Sequence, residues 1–272
     1  MNAVRRPGPS VRTRVQELTG SGAREHEDRL VTEEPLEIRL AWPGMTAHRM
    51  WVTMRTPGHD FELAAGWLMH EGIGSPSTVV YCTDEDLRPE QEFNVVTATL
   101  DSVPLRLPAA RSAALSAGSS ACGVCGSDSI DAALDVAAAA RWTGAQVPPE
   151  VVRALPRLLR EHQTVFDRTG GVHAAGLFDA AGTPLVVRED VGRHNAVDKV
   201  TGARVLAGAS PADAALVVSG RAGFELVQKA LAAGVGALVA VGAPTSLAVD
   251  LAGRGGLALY GFTSEERTVR YA

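Results

Sequence analysis

Hydrophobic and polar positions change their rhythm along the chain, and each change marks a boundary. Residues 1–30 are rich in Arg, Gly, Pro and Ser and show little apolar periodicity. Such a composition does not offset the entropy of ordering, and it predicts a flexible tail. Over 31–108 the runs become short and β-rich, at Leu36–Leu40, His48–Met54 and Phe93–Leu100, bounded by Pro43-Gly44, Pro57-Gly58 and Pro104. This predicts a small β-rich N-terminal subdomain. One helix interrupts it: Asp60 is placed to cap Phe61–His70, in which Phe61, Ala64, Ala65 and Leu68 share a face.

Residues 109–127 are small and polar, with Ser112, Ser116, Ser119 and Ser120, and predict a mobile loop leading into Cys122-Gly-Val-Cys125-Gly. Ser127 or Asp128 then caps a helix running to Ala140, with Ile130, Ala133, Leu134 and Ala137 at i, i+3, i+4 and i+7. Across the remainder of 128–272 the pattern predicts strands at Val172–Phe178, Pro184–Arg188, Ala214–Ser219, Ala237–Val241 and Leu257–Tyr260. Helices are predicted at His194–Leu206, Gly223–Ala233 and Thr245–Ala252. The first two strands, joined by Asp179-Ala-Ala-Gly182, read as a hairpin; the rest read as β-α-β-α-β, hence a largely parallel, helix-covered sheet of the α/β class.

Composition narrows the function classes. With 46% hydrophobic and 21% charged residues the chain belongs with globular proteins. Its apolar stretches, such as Val235–Val241, are far shorter than the ~20 residues of a membrane span. A net charge of −5 and a pI near 5.8 give no basic footprint for nucleic acid. Three cysteines without an apolar leader argue for a reducing, cytoplasmic setting, where a close pair signals metal binding or sulfur chemistry.

Cys122 and Cys125 stand at or just before a predicted helix N-terminus, where backbone amides and the helix dipole favour the thiolate. The alternative is half of a zinc site, which needs two further ligands. Only Cys82 and seven histidines are available for it, and no second Cys-x-x-Cys or His-x-x-x-His occurs. A second candidate site is the polar run from Arg188 to Lys199, with Asp190, Arg193, His194 and Asn195 where a strand turns into a helix; His173 in Thr169-Gly-Gly-Val-His joins it. The bland alternative there is a capped helix start, with Asp190 as cap and Asp198 and Lys199 facing water. Further turns at strand ends offer backbone amides to an anion: Ser219-Gly-Arg221, Gly242-Ala-Pro-Thr245-Ser246 and Gly261-Phe262 onward. No Walker or complete dinucleotide fingerprint is present.

At these residues the sequence resembles the FdhD/NarQ family of sulfurtransferases required for formate dehydrogenase activity. The likeness spans most of the chain after residue 30 and is most specific in Cys122–Gly126, Thr169–Ala175, Glu189–Lys199, Ser219–Arg221 and Ala243–Leu251. It implies a cytoplasmic, homodimeric sulfur carrier with a cytidine-deaminase-like three-layer C-terminal subdomain. A cysteine desulfurase would load a persulfide on the pair, with Cys122 the carrier. The sulfur would pass to the molybdenum (or tungsten) bis-guanine-dinucleotide cofactor, the bound substrate, before its insertion into formate dehydrogenase; GDP would bind as a fragment. The resemblance assigns Phe262, Thr263, Ser264, Glu265, Glu266 and Arg267 to cofactor binding. Family members commonly carry an arginine two residues after the phenylalanine, where this chain has Ser264. Deaminase chemistry itself is unsupported, because His173 is followed by Ala-Ala and Cys122 preceded by alanine. A zinc-stabilised cofactor chaperone without sulfur transfer is the competing expectation.

Overall fold

Alternation in β3 (Glu34–Trp42) sends Leu36, Ile38 and Leu40 to one face, and all three are fully buried. In the computed structural model, which describes residues 6–83, 87–88, 91–104, 107, 134 and 140–272, this strand is central to a four-stranded sheet of order β4-β3-β6-β5. Its neighbours are β4 (Met45–Arg55), β5 (Thr78–Tyr81) and β6 (Val95–Thr99). Helix α1 (Asp60–His70) covers the apolar face, and Trp51 stacks on Trp67 with ring centroids 5.1 Å apart.

The helix cap departs from expectation. His59, at φ 58°, occupies the N-cap position, and Asp60 lies inside the helix, buried. Its carboxylate accepts from Arg55 Nε at 2.9 Å and Tyr81 Oη at 2.7 Å. A buried guanidinium needs its counter-ion more than a helix end needs one of its caps, so the acid is drawn inward.

Most of the stretch 1–30, expected to be a flexible tail, instead belongs to an antiparallel ribbon of β1 (Ser10–Thr19) and β2 (Gly22–Val31), paired residue for residue. The ribbon has no apolar stripe to betray it: its faces mix arginine and glutamate, and Leu18 near the tip is 74% exposed. Its root rests on the far half of the chain, with Val31 packed beside Gly171.

The second sheet has six strands in the order β12-β11-β10-β9-β7-β8. β9 (Ala215–Val218), β10 (Ala237–Ala240) and β11 (Ala258–Gly261) are mutually parallel, as expected from the β-α-β rhythm. β7 (His173–Phe178) and β8 (Pro184–Asp190) form the expected hairpin, and the short β12 (Val269–Arg270) closes the other edge antiparallel. Their turn is built by Asp179, whose Oδ1 accepts from the amides of Ala181 and Thr183.

Helices lie on both faces of this sheet. α4 (Arg193–Leu206), α5 (Phe224–Ala233) and α6 (Ser246–Gly255) pack on Leu177, Leu216, Leu238 and Leu259. On the opposite face α2 (Pro149–Arg160) sets Val152, Leu155 and Leu159 against Phe178, Val217 and Val239. α2 and the short α3 (Thr164–Thr169) were not read from the sequence, although Val152, Leu155 and Leu159 keep helical spacing behind Pro149 at the first helical position. The helix expected between Asp128 and Ala140 lies outside the described residues, apart from Leu134 and Ala140.

The two sheets are joined where α1 crosses α4. A Cβ on Gly66 would lie 1.9 Å from the carbonyl oxygen of Asp198, and one on Gly202 would lie 1.7 Å from that of Glu62. The helices therefore touch backbone to backbone, and only glycine fits at either place. Ionic contacts surround the crossing. Glu62 accepts from Arg188 Nε and Nη2 at 2.5 and 2.7 Å, and its carboxyl is lowered to about 2. Burial works against that shift, and the hydrogen bonds from Arg188 and His59 overcome it. Asp198 accepts from both His70 Nδ1 and Lys229 Nζ at 2.6 Å, with all three groups largely buried.

Replacing Gly202 by alanine should cost ~3 kcal/mol or more, since the added methyl meets unyielding backbone. For a chain of this size that lowers the Tm by roughly 6–12 °C. Gly253→Ala, in a helical position with open space around it, should leave the Tm unchanged or raised. Calorimetric melting of the two variants checks the contrast.

Acid should also loosen the structure through Glu62. Its folded value lies below its ordinary 4.5, so its stabilisation is complete above pH 4.5 and is lost as the pH falls toward about 2. Chemical denaturation from pH 6 to 3 should show a loss that is smaller in Glu62→Gln.

Candidate functional site

The parallel strands end on one side of the second sheet, and the chain there is pinned by small residues. Ser219 follows β9 and Val241 follows β10; Thr263 and Ser264 lie just beyond β11. His173 opens β7, which runs antiparallel to β9 and so starts where β9 ends. These residues line a cleft of about 750 Å³, closed on the far side by α2 and α3 through Arg157, Arg160, Gln163 and Phe166.

Five of the expected site residues, His173, Ser219, Thr263, Ser264 and Glu265, meet in this cleft. Ser219 Oγ accepts from the amide of Ala174 at 2.9 Å and sits 3.5 Å from His173 Nδ1. Gly220 runs beside the imidazole, a Cβ there lying 3.4 Å from Nδ1. Burial holds His173 below the ordinary histidine value, and the positive charges of Arg193 and His194 lower it further. Arg193 makes no ion pair among the described residues, and its Nε is buried without a hydrogen-bond partner. His194 lies 2.8 Å from Glu225, whose carboxyl is lowered chiefly by that hydrogen bond.

Asp190 and Asn195 have a different place. Asp190 is fully buried: its Oδ1 accepts from the Gly192 amide and Asn195, its Oδ2 from the Thr56 amide, and Lys199 Nζ lies 2.6 Å away. Asn195 also reaches back to β4, donating to the Met54 carbonyl at 2.7 Å. Both tie the α4 start to the N-terminal sheet, behind the cleft wall. The bland reading of this segment is overturned, because the α4 cap is Gly192 and both Asp198 and Lys199 are buried. An isolated helix start does not show this in its sequence; the second sheet supplies the partners.

Of the residues expected in the last turns, Arg221, Thr245, Ser246, Phe262, Glu266 and Arg267 are not in the lining of the cleft. Thr245 caps α6 by accepting from the Ala248 amide, and Ser246 is exposed beside it. Arg221 is exposed, its stem packed over Gly242. Phe262 takes a left-handed φ of 49° and is 45% exposed, with the Arg267 guanidinium 5.6 Å from its ring centroid. Glu265 accepts from Arg157 Nε at 2.8 Å, so its charge is met from α2; Glu266 is exposed. Arg157, Arg160, Gln163 and Phe166 were missed with their helices; the signal was the arginine spacing on the polar side of the α2 stripe.

Cys122 and Cys125 lie outside the described residues, as does the loop assigned to them. Cys82 is buried in the N-terminal half. Among the described residues no three metal-ligating side chains cluster, and no helix is long and apolar enough to cross a membrane.

The model of the FdhD/NarQ family matches residues 31–272. The chain belongs to that family. It is 46% identical over 266 residues to the sulfur carrier protein FdhD of Nocardia farcinica, covering 94% of this chain and 91% of the relative. It is 44% identical over 261 residues to the protein of that name from Streptomyces avermitilis, covering 92% and 89%. The fold matches the crystal structure of a putative formate dehydrogenase accessory protein from Desulfotalea psychrophila, with a TM-score of 0.74, 23% identity and 97% of each chain covered. That structure shares the mixed α/β fold, with several sheets and helices, seen here.

Because Arg193 lowers His173 through space, Arg193→Ala should raise the His173 value toward 6.5. Histidine NMR titration across pH 4–8 measures it, and an unchanged midpoint would separate the two side chains.

Proposed function

We propose that this chain is a sulfur carrier for formate dehydrogenase maturation. The kinship carries this reading: relatives matching nearly its whole length are named sulfur carrier proteins, and the family model matches residues 31–272. Cys122 is the persulfide carrier and Cys125 its companion. The Cys122 thiolate attacks the outer sulfur of a cysteine desulfurase persulfide; that S–S bond breaks, a new one forms, and the desulfurase thiolate leaves. The carried sulfur is then offered to a molybdenum or tungsten bis-guanine-dinucleotide cofactor, the bound substrate, destined for formate dehydrogenase. The protein works in the cytoplasm as a homodimer, and its C-terminal half is read as cytidine-deaminase-like.

The cleft at the strand ends is the place for the substrate. Its volume of about 750 Å³ suits one guanine-nucleotide arm rather than the whole cofactor. Arg157 and Arg160 line the cleft, and Arg193, Arg221, Arg267 and the Thr245–Ser246 helix start, which lie outside that lining, are the further donors this reading assigns to phosphate. His173, kept neutral at pH 7 by burial and adjacent cations, offers a hydrogen bond without adding charge.

Incubation with a cysteine desulfurase and cysteine should raise the intact mass by about 32 Da per sulfur, mapped to Cys122. Cys122→Ala should abolish loading and formate dehydrogenase activation at unchanged Tm, whereas Cys82→Ser should keep both. Loading that persists in Cys122→Ala, or stoichiometric zinc held by the cysteine pair, overturns the assignment.

A further inference from the structure

The seam between α1 and α4 runs past the two glycines into a buried charged cluster. His70 lies one turn after Gly66, and Asp198 one turn before Gly202, so this pair extends the same backbone contact. Asp198 Oδ1 receives two donors there, His70 Nδ1 from α1 and Lys229 Nζ from α5, each at 2.6 Å. The side chains of His70 and Asp198 are 1% and 0% exposed. Each keeps one polar atom, His70 Nε2 and Asp198 Oδ2, without a hydrogen-bond partner among the described residues.

Those orphans decide which protonation state the site fits. With Nδ1 donating to a carboxylate, Nε2 is a bare acceptor in the neutral ring and a donor in the charged one. The bare acceptor forfeits one hydrogen bond, whereas the donor sets a positive charge where no oxygen is aimed at it. Lys229 already neutralises Asp198, so a charged ring would leave the cluster net positive. The neighbouring elements do not offset that charge. β6 has no titratable residue, and Tyr81 of β5 is engaged by Asp60 at the far end of α1. On β3 and β4, Glu37 pairs with Arg39 and Arg49, Arg55 pairs with Asp60 and Glu34, and His48 stands against Trp42. On α4 Lys199 is turned to Asp190, and on α5 Glu225 is held by His194. On α1 itself His59 and Glu62 belong to the opposite end, and Glu71 is the C-cap. The carbonyl end of α1 favours a cation, yet burial outweighs it and holds the ring below the ordinary histidine value of 6.5; the hydrogen bond to Asp198 opposes the shift and the charge of Lys229 adds to it.

We propose that His70 makes the α1–α4 seam a proton-released latch, closed around the neutral ring and opened by uptake of one proton from solvent at Nε2. The ring is sealed from water and the glycine contacts leave the helices no room to slide, so the proton arrives only as α1 parts from α4. Opening bares the apolar side of α1 and frees the start of α4, which carries Arg193. The latch stands whether or not the chain carries sulfur. Its sign follows from the lowered value: the open form takes a proton near 6.5 and the closed form only at lower pH, so the seam holds fully above 6.5 and loosens as the pH falls below it. Linkage to one proton makes opening about tenfold more favourable at pH 5.5 than at pH 7.5. Glu62 acts in a lower window, below 4.5.

Hydrogen exchange followed by mass spectrometry on the full chain, with labelling times scaled for the intrinsic rate, tests this segment by segment. Peptides of α1 and α4 should lose about tenfold in protection between pH 7.5 and 5.5, while those of β10 and β11 keep theirs. In His70→Asn the side-chain amide takes the place of Nδ1–H without titrating, and the pH dependence should vanish. Protection that is equal at the two pH values, a loss that persists in His70→Asn, or a loss shared evenly by every segment overturns the latch. Should His70→Asn fail to fold, histidine NMR on the wild type decides. A closed form whose His70 stays the neutral Nδ1–H tautomer down to pH 5.5 supports the latch, and one that becomes protonated above pH 5.5 with α1 still in place overturns it.

Discussion

The close approach of α1 and α4 at Gly66 and Gly202 sets the geometry of everything around it. With no side chain between the helices, their carbonyls and amides lie at van der Waals distance, and neither helix can slide without collision. That fixes the end of β4 against the start of α4. Thr53, Met54 and Thr56 then reach Asn195, Asp190 and Lys199 with hydrogen bonds of ordinary length. The Arg188–Asp190 strand end and the turn that carries Arg193 take their position from this join, and the cleft lies beside it.

Burying so many charges is tolerable because each has partners. Lys199 meets Asp190 and two carbonyls; Arg55 meets Asp60, Asn94 and the Phe93 carbonyl. Removing one member of such a set leaves the other uncompensated in a low-dielectric interior, a larger loss than the intact pair contributes. The network at the join thus favours one arrangement of the two sheets over near alternatives. At the His70–Asp198–Lys229 cluster satisfaction is incomplete: His70 Nε2 and Asp198 Oδ2 are buried without partners.

Much of the C-terminal half was legible in the sequence, because β9, β10 and β11 are uninterrupted apolar runs with glycine-marked turns and α5 and α6 are amphipathic. The ribbon was not legible, since cross-strand pairing without a buried face leaves no periodic trace. Nor was the cap of α1, because the partner that claims Asp60 is Arg55 on a preceding strand. The site was legible where residues lie at strand ends in sequence order, as with His173, Ser219 and Thr263. It was hidden where the wall comes from a different segment, as with Gln163 and Phe166, or where polar residues turn inward to a second sheet, as with Asp190 and Asn195.

Helix α1 has almost no face of its own for water: Leu63, Ala64, Ala65, Trp67 and Leu68 are buried between the first sheet and α4. During synthesis it leaves the ribosome long before α4 exists to cover it. Until then the N-terminal sheet carries a helix whose outer side is bare apolar surface and exposed glycine backbone. The nascent chain must wait in that condition, open to chaperones and to self-association, and the first half becomes a settled structure only when the second arrives.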